Sequence, residues 1–552
     1  MCGKLFVIFV LAATSLLVVL LGLNTVTSRQ RQYQWDRIRK DVASLPQLDR
    51  ERIHQRAERL AKALTIQTIS WERDVFETEA LLQLHQHLKK SFPLVHSSPS
   101  IEVTVINGYS LLYKVRGSNN EDKGDNVLPP YMLAAHLDVV PVANGTWKIA
   151  QPFEGRIIDD VIYGRGALDD KSSVMPLPTD NDSMRALPSK CFRRAFRERH
   201  SGEFWKMATG IMEALEFLVE NKYSFQRTFY IGFGHDEEVS GFEGAGHIAK
   251  HLKSTGVNHL DFVLDEGYFV LEDMVEGVDD LVSVIGVTEK GFATLELNVE
   301  MSPGHSSIPP KETAIGVLAK AVSALETNPH PSMFGNGPEM DFFSYISTSA
   351  NIGHSVIFSN LWLLSPLLSQ ILARNPVTDA IQRTTTAVTI IQGGYKHNVI
   401  PGSASATVNH RIHPADSLDQ VIEYNNQVIN DPRVHIKVVD YYPPTPISPY
   451  GPDVSPFNLI ASSVKQIYPT SVIAPACSPA NTDLRRYVEL SDHLYRITPT
   501  VLTPVTRGGI HGDDEQITVE HYHNFIRFYV ALMLNADQPV GGHSASLHKR
   551  EL

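Results

Sequence analysis

Cysteine is nearly absent. The 552 residues contain three, Cys2, Cys191 and Cys477. Thiols so few and so far apart exclude a disulfide framework and a thiolate zinc site. An excess of positive charge is missing as well. Lys and Arg total 49 against 61 Asp and Glu, for a formal net charge of -12, which argues against a general nucleic-acid binder. The chain has no His-Glu-x-x-His, no Gly-x-Ser-x-Gly elbow, no phosphate loop and no Gly-x-Gly-x-x-Gly, so several common hydrolase and nucleotide chemistries lose their signature. His235 and Glu237 begin like a zinc deaminase, but the Cys-x-x-Cys of such a site is missing.

What is present is an ordinary globular composition, 43% hydrophobic and 20% charged, in a chain long enough to bury a full core. Histidine is plentiful, at 23, so any metal would be held by imidazole and carboxylate.

Lys4 precedes an apolar run from Leu5 to Leu23. As a helix this run would reach about 28 Å, near the thickness of a bilayer's hydrocarbon core. Val26 and Ser28 are small enough for cleavage after Ser28. Residues 1–28 are therefore expected to be a cleaved signal peptide, with an uncleaved anchor as the alternative. No second spanning run follows. The expected location is secreted, or membrane-anchored if the segment stays. Sequons at Asn144 and Asn181 fit a secretory route.

Hydrophobic periodicity predicts helical character within Gln34–Thr68 and a hairpin of Ile101–Ile106 with Ser110–Val115 around Asn107-Gly108. Tyr131–Ala135, Thr228–Phe233 and Phe262–Leu264 are predicted as buried strands, with helices at Met212–Val219 and Ala245–Leu252. A second region, starting near Thr288, alternates as strands at Ala293–Val299, Thr386–Ile391 and Ala404–Ile412. Its helices are expected at Glu312–Leu325 and Leu418–Val428. The α/β character returns near Tyr441 and ends in a helix at Glu520–Leu534. The expected organisation is an α/β catalytic domain, 29–290 and 441–536, interrupted by a smaller α+β lid at 291–440, with a tail at 537–552. Pro176 to Met207 does not fit. It holds three prolines, and seven Lys or Arg against four Asp or Glu, and it interrupts a helix that should run from Asp169 into Thr209. It reads as a solvated loop or as sequence foreign to the fold.

Five motifs carry candidate chemistry. Ala135-His136-Leu137-Asp138 ends a predicted strand, where α/β folds place ligands. His and Asp two apart on a strand point the same way, and a metal-bound imidazole needs a carboxylate on its other nitrogen. Gly164-Arg165-Gly166-Ala167-Leu168-Asp169-Asp170-Lys171 puts acids at a helix start. Asp236-Glu237-Glu238 follows a second strand, and adjacent glutamates there call for a cation, one as ligand and one as general base. Asp265-Glu266-Gly267 follows a third strand. His511 lies late in the chain. Ligands of this kind, without Cys, suit a pair of zinc ions.

In this order the motifs resemble the co-catalytic zinc metallopeptidases, the family of aminoacylase, bacterial glutamate carboxypeptidase and carnosinase. Within that family, Gly304-His305-Ser306-Ser307, Arg383-Thr384-Thr385-Thr386 and Asn398-Val399-Ile400-Pro401 are similar to members that act on N-fatty-acyl amino acids. The resemblance implies two zinc ions. His136 would bind one of them and Asp169 would bridge both. Glu238 and His511 would be further ligands, and Asp265 and Glu266 compete for the remaining position. It also implies that Asp138 orients His136, that Glu237 is the general base, and that His305 of the lid stabilises the oxyanion, often across a homodimer. Asn398 and Arg411 would hold a substrate carboxylate.

The apolar stretch Val356–Ala373, placed in the lid, reads as a core helix or as a wall for an acyl chain. The expected activity is hydrolysis of N-fatty-acyl amino acids and the reverse condensation, on small-molecule substrates and with no nucleic-acid partner. A peptide carboxypeptidase or dipeptidase, and an inactive secreted carrier, are the alternatives.

Overall fold

The structure is a computed structural model that describes residues 2–31, 33, 35, 50–118, 128–142, 147–165, 207–504 and 513–537. Its organising element is a ten-stranded mixed sheet. At the centre, Val263–Asp265, Tyr131–His136 and Phe229–Gly234 run parallel and adjacent, with His136 in register with Gly234 and Leu133 with Leu264. All three strands are buried throughout, as expected for parallel strands covered on both faces. The chain therefore leaves three neighbouring strands at one end of the sheet, each time into one of the acidic motifs. The hairpin Ile101–Ile106 with Ser110–Val115 extends one side. Val282–Glu289, flanked by Leu494–Arg496 and Val472–Ser478, continues the other.

Helices Arg50–Leu64, Met207–Glu220, Ser455–Ile467 and Val519–Ala536 bring Leu60, Leu215, Val464 and Phe525 into the main core. The helix expected to resume at Thr209 does so, at Met207. Residues 166–206, which hold most of the odd basic stretch together with Asp169 and Asn181, lie outside the described residues, as do Asn144 and His511.

A separate four-stranded antiparallel sheet has the order Thr385–Gly393, Ser403–Ile412, Gly291–Glu300, Val434–Tyr442. Gly291–Glu300 alternates between buried and half-buried up to its exposed last residue, the period-2 signature that placed it in the sequence. Helices Ala314–Thr327 and Leu418–Ile429 cover this sheet, with Val317, Leu318 and Ala321 packed on Leu297, Val299 and Ala406. Thr313 and Ser417 cap the helices by accepting from the backbone N–H of Gly316 and Gln420, each such cap stabilising by about 1 kcal/mol. The expected start at Glu312 moves inward because Thr313 supplies the cap. Glu312 pairs instead with Lys320 and Arg433.

His410 is fully buried behind this sheet. Its Nε2 lies 2.9 Å from the Asn425 amide nitrogen and its Nδ1 3.2 Å from Thr386 Oγ1. A ring that accepts from Asn425 and donates to Thr386 is neutral. Burial, reinforced by His330, pushes its pKa down to about 3. Because the folded value is depressed, the unfolded chain takes up the proton first as pH falls below the ordinary imidazole range. Stability is then lost progressively between about pH 6.5 and 3, by about 2 kcal/mol at pH 5. Melting curves at pH 7 and pH 5 are expected to separate more for the wild type than for His410→Gln. An equal separation would show that this imidazole does not set the acid sensitivity.

Val356–Ala373 lies elsewhere than expected. It forms parts of two helices, Ile352–Ser359 and Leu361–Leu372. With Glu339–Ile346 these pack on the ten-stranded sheet, where Phe343, Ile346, Phe358 and Leu361 cluster with Val282, Val284 and Ala474. The reason is complementarity: a sheet face of Val and Ala needs apolar cover, whereas the lid sheet already has two helices. The stretch is not a simple core element either, since Trp362 is 61% exposed and Leu367 51% exposed.

Candidate active site

The three strand ends build the site. Asp138, fully buried, is its hub. Its Oδ1 lies 3.2 Å from His136 Nδ1 and accepts from the Glu237 N–H at 3.1 Å, while its Oδ2 accepts from the Glu238 N–H at 3.2 Å. One carboxylate thus sets the orientation of the imidazole and pins the turn that carries both glutamates. The other ring nitrogen, His136 Nε2, faces Glu266 Oε1 at 3.5 Å. His136, Glu237 and Glu266 are all buried and offer ligand atoms within 4.8 Å of one another.

The sequence left Asp265 and Glu266 competing. Glu266 faces His136, while Asp265 Oδ1 accepts from the Glu266 N–H at 3.0 Å and its buried Oδ2 has no partner among the described residues. The two glutamates of the neighbouring motif part as well. Glu237 turns into the cluster, while Glu238 Oε1 accepts from the Val140 N–H at 3.1 Å. His235 takes no part: its Nδ1 meets Ser110 Oγ at 2.7 Å, its ring packs against Phe76 and Tyr109, and burial lowers its pKa to about 4.

The acid density is high. Burial, first of all, holds Glu237 well above the usual carboxylate range, and Glu266 and Asp483 push it further. Burial also raises Asp265 to about 6 and Asp236 to about 6, although Asp236 accepts from the Glu243 and Gly244 N–H groups. Buried carboxylates facing one imidazole are under-compensated, and a cation supplies what is missing. The donor set, imidazole nitrogen with carboxylate oxygen, fits a divalent metal of the zinc type.

The segments of the two remaining expected ligands enter and leave at one point. Arg165 Nη1 donates to Glu515 Oε2 at 2.6 Å, both side chains buried, and the Gly164 N–H donates to Glu515 O at 3.0 Å. Asp169 follows Arg165 by four residues and His511 precedes Glu515 by four.

The lid residues separate into two places. His305, exposed, lies on the two-residue strand Gly304–His305, paired with Val399–Ile400, and its Nδ1 meets Ser307 Oγ at 2.7 Å. Asn398 adjoins it, its carbonyl accepting from the Ser306 N–H at 3.3 Å. Arg411, at the end of Ser403–Ile412, reaches the catalytic half instead and donates to Asn481 Oδ1 at 3.0 Å.

That last contact leads to residues the sequence reading missed. Asp483 is buried, with neither oxygen partnered among the described residues. A Cβ on Gly241, whose φ is +65°, would lie 1.9 Å from its Oδ1, so the backbone there is closed down on this carboxylate. Arg485 Nη2 approaches Glu237 Oε1 at 3.9 Å. Beneath them Arg496 and Glu289, both fully buried, pair at 2.7 Å, and Glu289 Oε1 also accepts from Thr482. Thr482-Asp483-Leu484-Arg485-Arg486 is a charged run directly after a strand and its loop, the one signal that could have flagged it.

Comparison with known proteins follows the same layout. Residues 132–177 match the family described as Peptidase family M20/M25/M40, and residues 287–436 match its peptidase dimerisation domain. The N-fatty-acyl-amino acid synthase/hydrolase of Xenopus tropicalis is 40% identical over 97% of this chain and 95% of its own, and that of Homo sapiens is 38% identical over 89% of each. Among solved structures, an M20 family metallo-carboxypeptidase from Sulfolobus solfataricus superposes with a TM-score of 0.55 at 17% identity, covering 88% of this chain and 99% of that one.

Proposed function

The chain belongs to peptidase family M20/M25/M40, and on that premise we propose that it is a metal-dependent amidohydrolase that cleaves and forms the amide bond of N-fatty-acyl amino acids. The near full-length identity to N-fatty-acyl-amino acid synthase/hydrolases supports this reading. The observation that carries the chemistry is the buried trio of His136, Glu237 and Glu266 above Asp138.

We read the cofactor as two zinc ions. His136 and Glu266 would hold one, and Asp169, Glu238 and His511 would complete the pair. Bound there, the ions would supply the positive charge that activates water and polarises an amide carbonyl. Glu237 takes the proton of the attacking water and delivers it to the leaving nitrogen. The carbon–oxygen bond forms first and gives a tetrahedral oxyanion; its collapse breaks the carbon–nitrogen bond, and the released amine carries the proton away. Asp138 keeps His136 in the tautomer that presents Nε2. Across a homodimer, His305 and the adjoining Asn398 of one lid would reach the oxyanion and the amino-acid carboxylate at the other chain's site, where Arg411 would hold the same carboxylate. The reverse condensation passes through the same transition state, with direction set by concentrations.

Exposed Ile390, Ile391, Val438 and Val439 lie on the two edge strands of the lid sheet, which suits a homodimer formed through those edges. Each methylene of an acyl chain buried on binding would contribute about 0.8 kcal/mol.

Metal analysis of the purified chain, with hydrolysis of N-oleoyl-phenylalanine assayed before and after chelation, tests the proposal. About two zinc per chain and activity lost on chelation support it. A chain that binds the substrate without metal and without turnover is a carrier, and refutes it.

A further inference from the structure

Two helices face each other with rows of opposite charge. Arg50–Leu64 carries Arg52, Arg56 and Arg59, and Met207–Glu220 carries Glu213, Glu216 and Glu220. Spacings of three and four residues put each row on one helix face. The ends of the rows pair across the gap. Arg59 Nε and Nη2 donate to the two oxygens of Glu213 at 2.6 and 2.8 Å, and Arg52 Nη1 lies 3.7 Å from Glu220 Oε1. The middle rung is not made. Glu216 turns aside, and its oxygens accept from the Leu94 and Val95 N–H groups at 3.0 and 2.8 Å. Arg56 leans on Glu213 instead, with Nε 3.2 Å from Oε2.

Arg56 is under-compensated as a result. It is only 7% exposed, and its Nη nitrogens have no hydrogen-bond partner among the described residues. Burial, first of all, pulls its pKa below the ordinary guanidinium range, and Glu213 offsets this only in part. Glu213, itself buried, already serves two guanidiniums. At this rung a cleft of about 360 Å³ opens between the helices, within the range of small-molecule sites, about 300–1,000 Å³. Arg56, Glu216 and Glu220 line it together with Pro93, Leu94 and Phe217, and Leu94 is exposed there.

We infer that this cleft binds a free amino acid with an apolar side chain, held as a zwitterion that completes the missing rung. Its carboxylate meets Arg56, its ammonium meets Glu216 and Glu220, and its side chain lies against Pro93, Leu94 and Phe217. Three features choose this ligand. The two rows carry three charges of each sign, so a neutral zwitterion is matched, whereas a bare anion or cation is opposed by one row. The planar guanidinium fork of Arg56 fits a carboxylate, and each oxygen of Glu216 keeps a lone pair beyond its backbone contact. The apolar lining rewards an apolar side chain. None of His136, Glu237 and Glu266 lines the cleft, so the site is separate from the catalytic cluster. A free amino acid is the class of molecule that the proposed reaction releases, but its binding here is independent of that reading.

Equilibrium dialysis of the metal-loaded protein against labelled L-phenylalanine tests this. Leu94→Glu places a carboxylate at the open rung. Checked for an unchanged melting curve and an unchanged kcat/KM, it is expected to bind one phenylalanine fewer per chain than the wild type. Phenylalanine held at the catalytic cluster is common to both proteins and cancels. Equal stoichiometry would overturn the site. Arg56→Gln is expected to lose the same phenylalanine; should it fail to fold, Leu94→Glu decides alone. Competition at the site that Leu94→Glu removes then tests the ligand. 3-Phenylpropanoate lacks the ammonium and phenethylamine lacks the carboxylate. Each is expected to compete at least about tenfold more weakly than phenylalanine, for want of one charge-assisted contact. Glycine, without the apolar side chain, is expected to compete more weakly as well. Equal competition by any of the three, or by inorganic phosphate, would overturn the assignment to an apolar zwitterion.

Discussion

Glu237→Gln is expected to lower kcat for an N-fatty-acyl amino acid by about 10²–10⁴-fold, the usual contribution of a positioned general base, with KM and metal content close to wild type. The position of the side chain sets this effect. Glu237 turns into the cluster with His136 and Glu266, while Asp138 fixes its backbone. The amide isostere keeps that backbone contact and the volume but can neither take a proton from water nor return one to an amine. Burial raises the carboxyl of Glu237 well above the ordinary range, which suits a group that must hold a proton between two steps. Rapid quench with metal-loaded variant checks the outcome. A fall in metal content parallel to the fall in kcat would instead make Glu237 a ligand.

The second large effect separates two adjacent residues. Glu266→Gln is expected to abolish high-affinity metal at the His136 position, with loss of both metal and turnover. Asp265→Asn is expected to keep the metal and to cost much less activity. Glu266 faces His136 Nε2 at 3.5 Å, whereas Asp265 accepts from the backbone beside it. An amide at 266 brings no negative charge to the ion, while an amide at 265 keeps a carbonyl oxygen that can still accept from the Glu266 N–H. Metal titration of both apo variants checks this, and the reverse pattern would exchange the two roles.

The part of the fold and site legible in the sequence is the part set by short-range pattern. The hairpin of Ile101–Ile106 with Ser110–Val115 is bounded by Asn107-Gly108, and its turn chemistry fixed both strands to the residue. Tyr131, Phe229 and Val263 begin apolar runs that leave little choice but buried parallel strands. The acidic motifs then fall at one sheet end. What the sequence could not show was long-range. Asp483 and Arg485 meet Glu237 across some 250 positions of chain, and no period or spacing announces such a meeting. Asp265 and Glu266 are chemically equivalent on paper and differ only in which way each side chain leaves the strand. Val356–Ala373 carried enough apolar residues to serve as a core helix, but its partner surface was decided by which sheet face lacked cover. The contacts of Asn24 and Arg29 with residues 350–360 show the same limit, being visible only in three dimensions.

The central claim is that this buried cluster hydrolyses the amide bond of a fatty-acylated amino acid. The most direct measurement is kcat/KM of the zinc-loaded protein for N-oleoyl-phenylalanine beside a dipeptide such as alanyl-phenylalanine. A preference of at least about a hundredfold for the oleoyl amide is expected, because chain methylenes add about 0.8 kcal/mol each on burial. Faster turnover of the dipeptide, with the oleoyl substrate left intact, would contradict it.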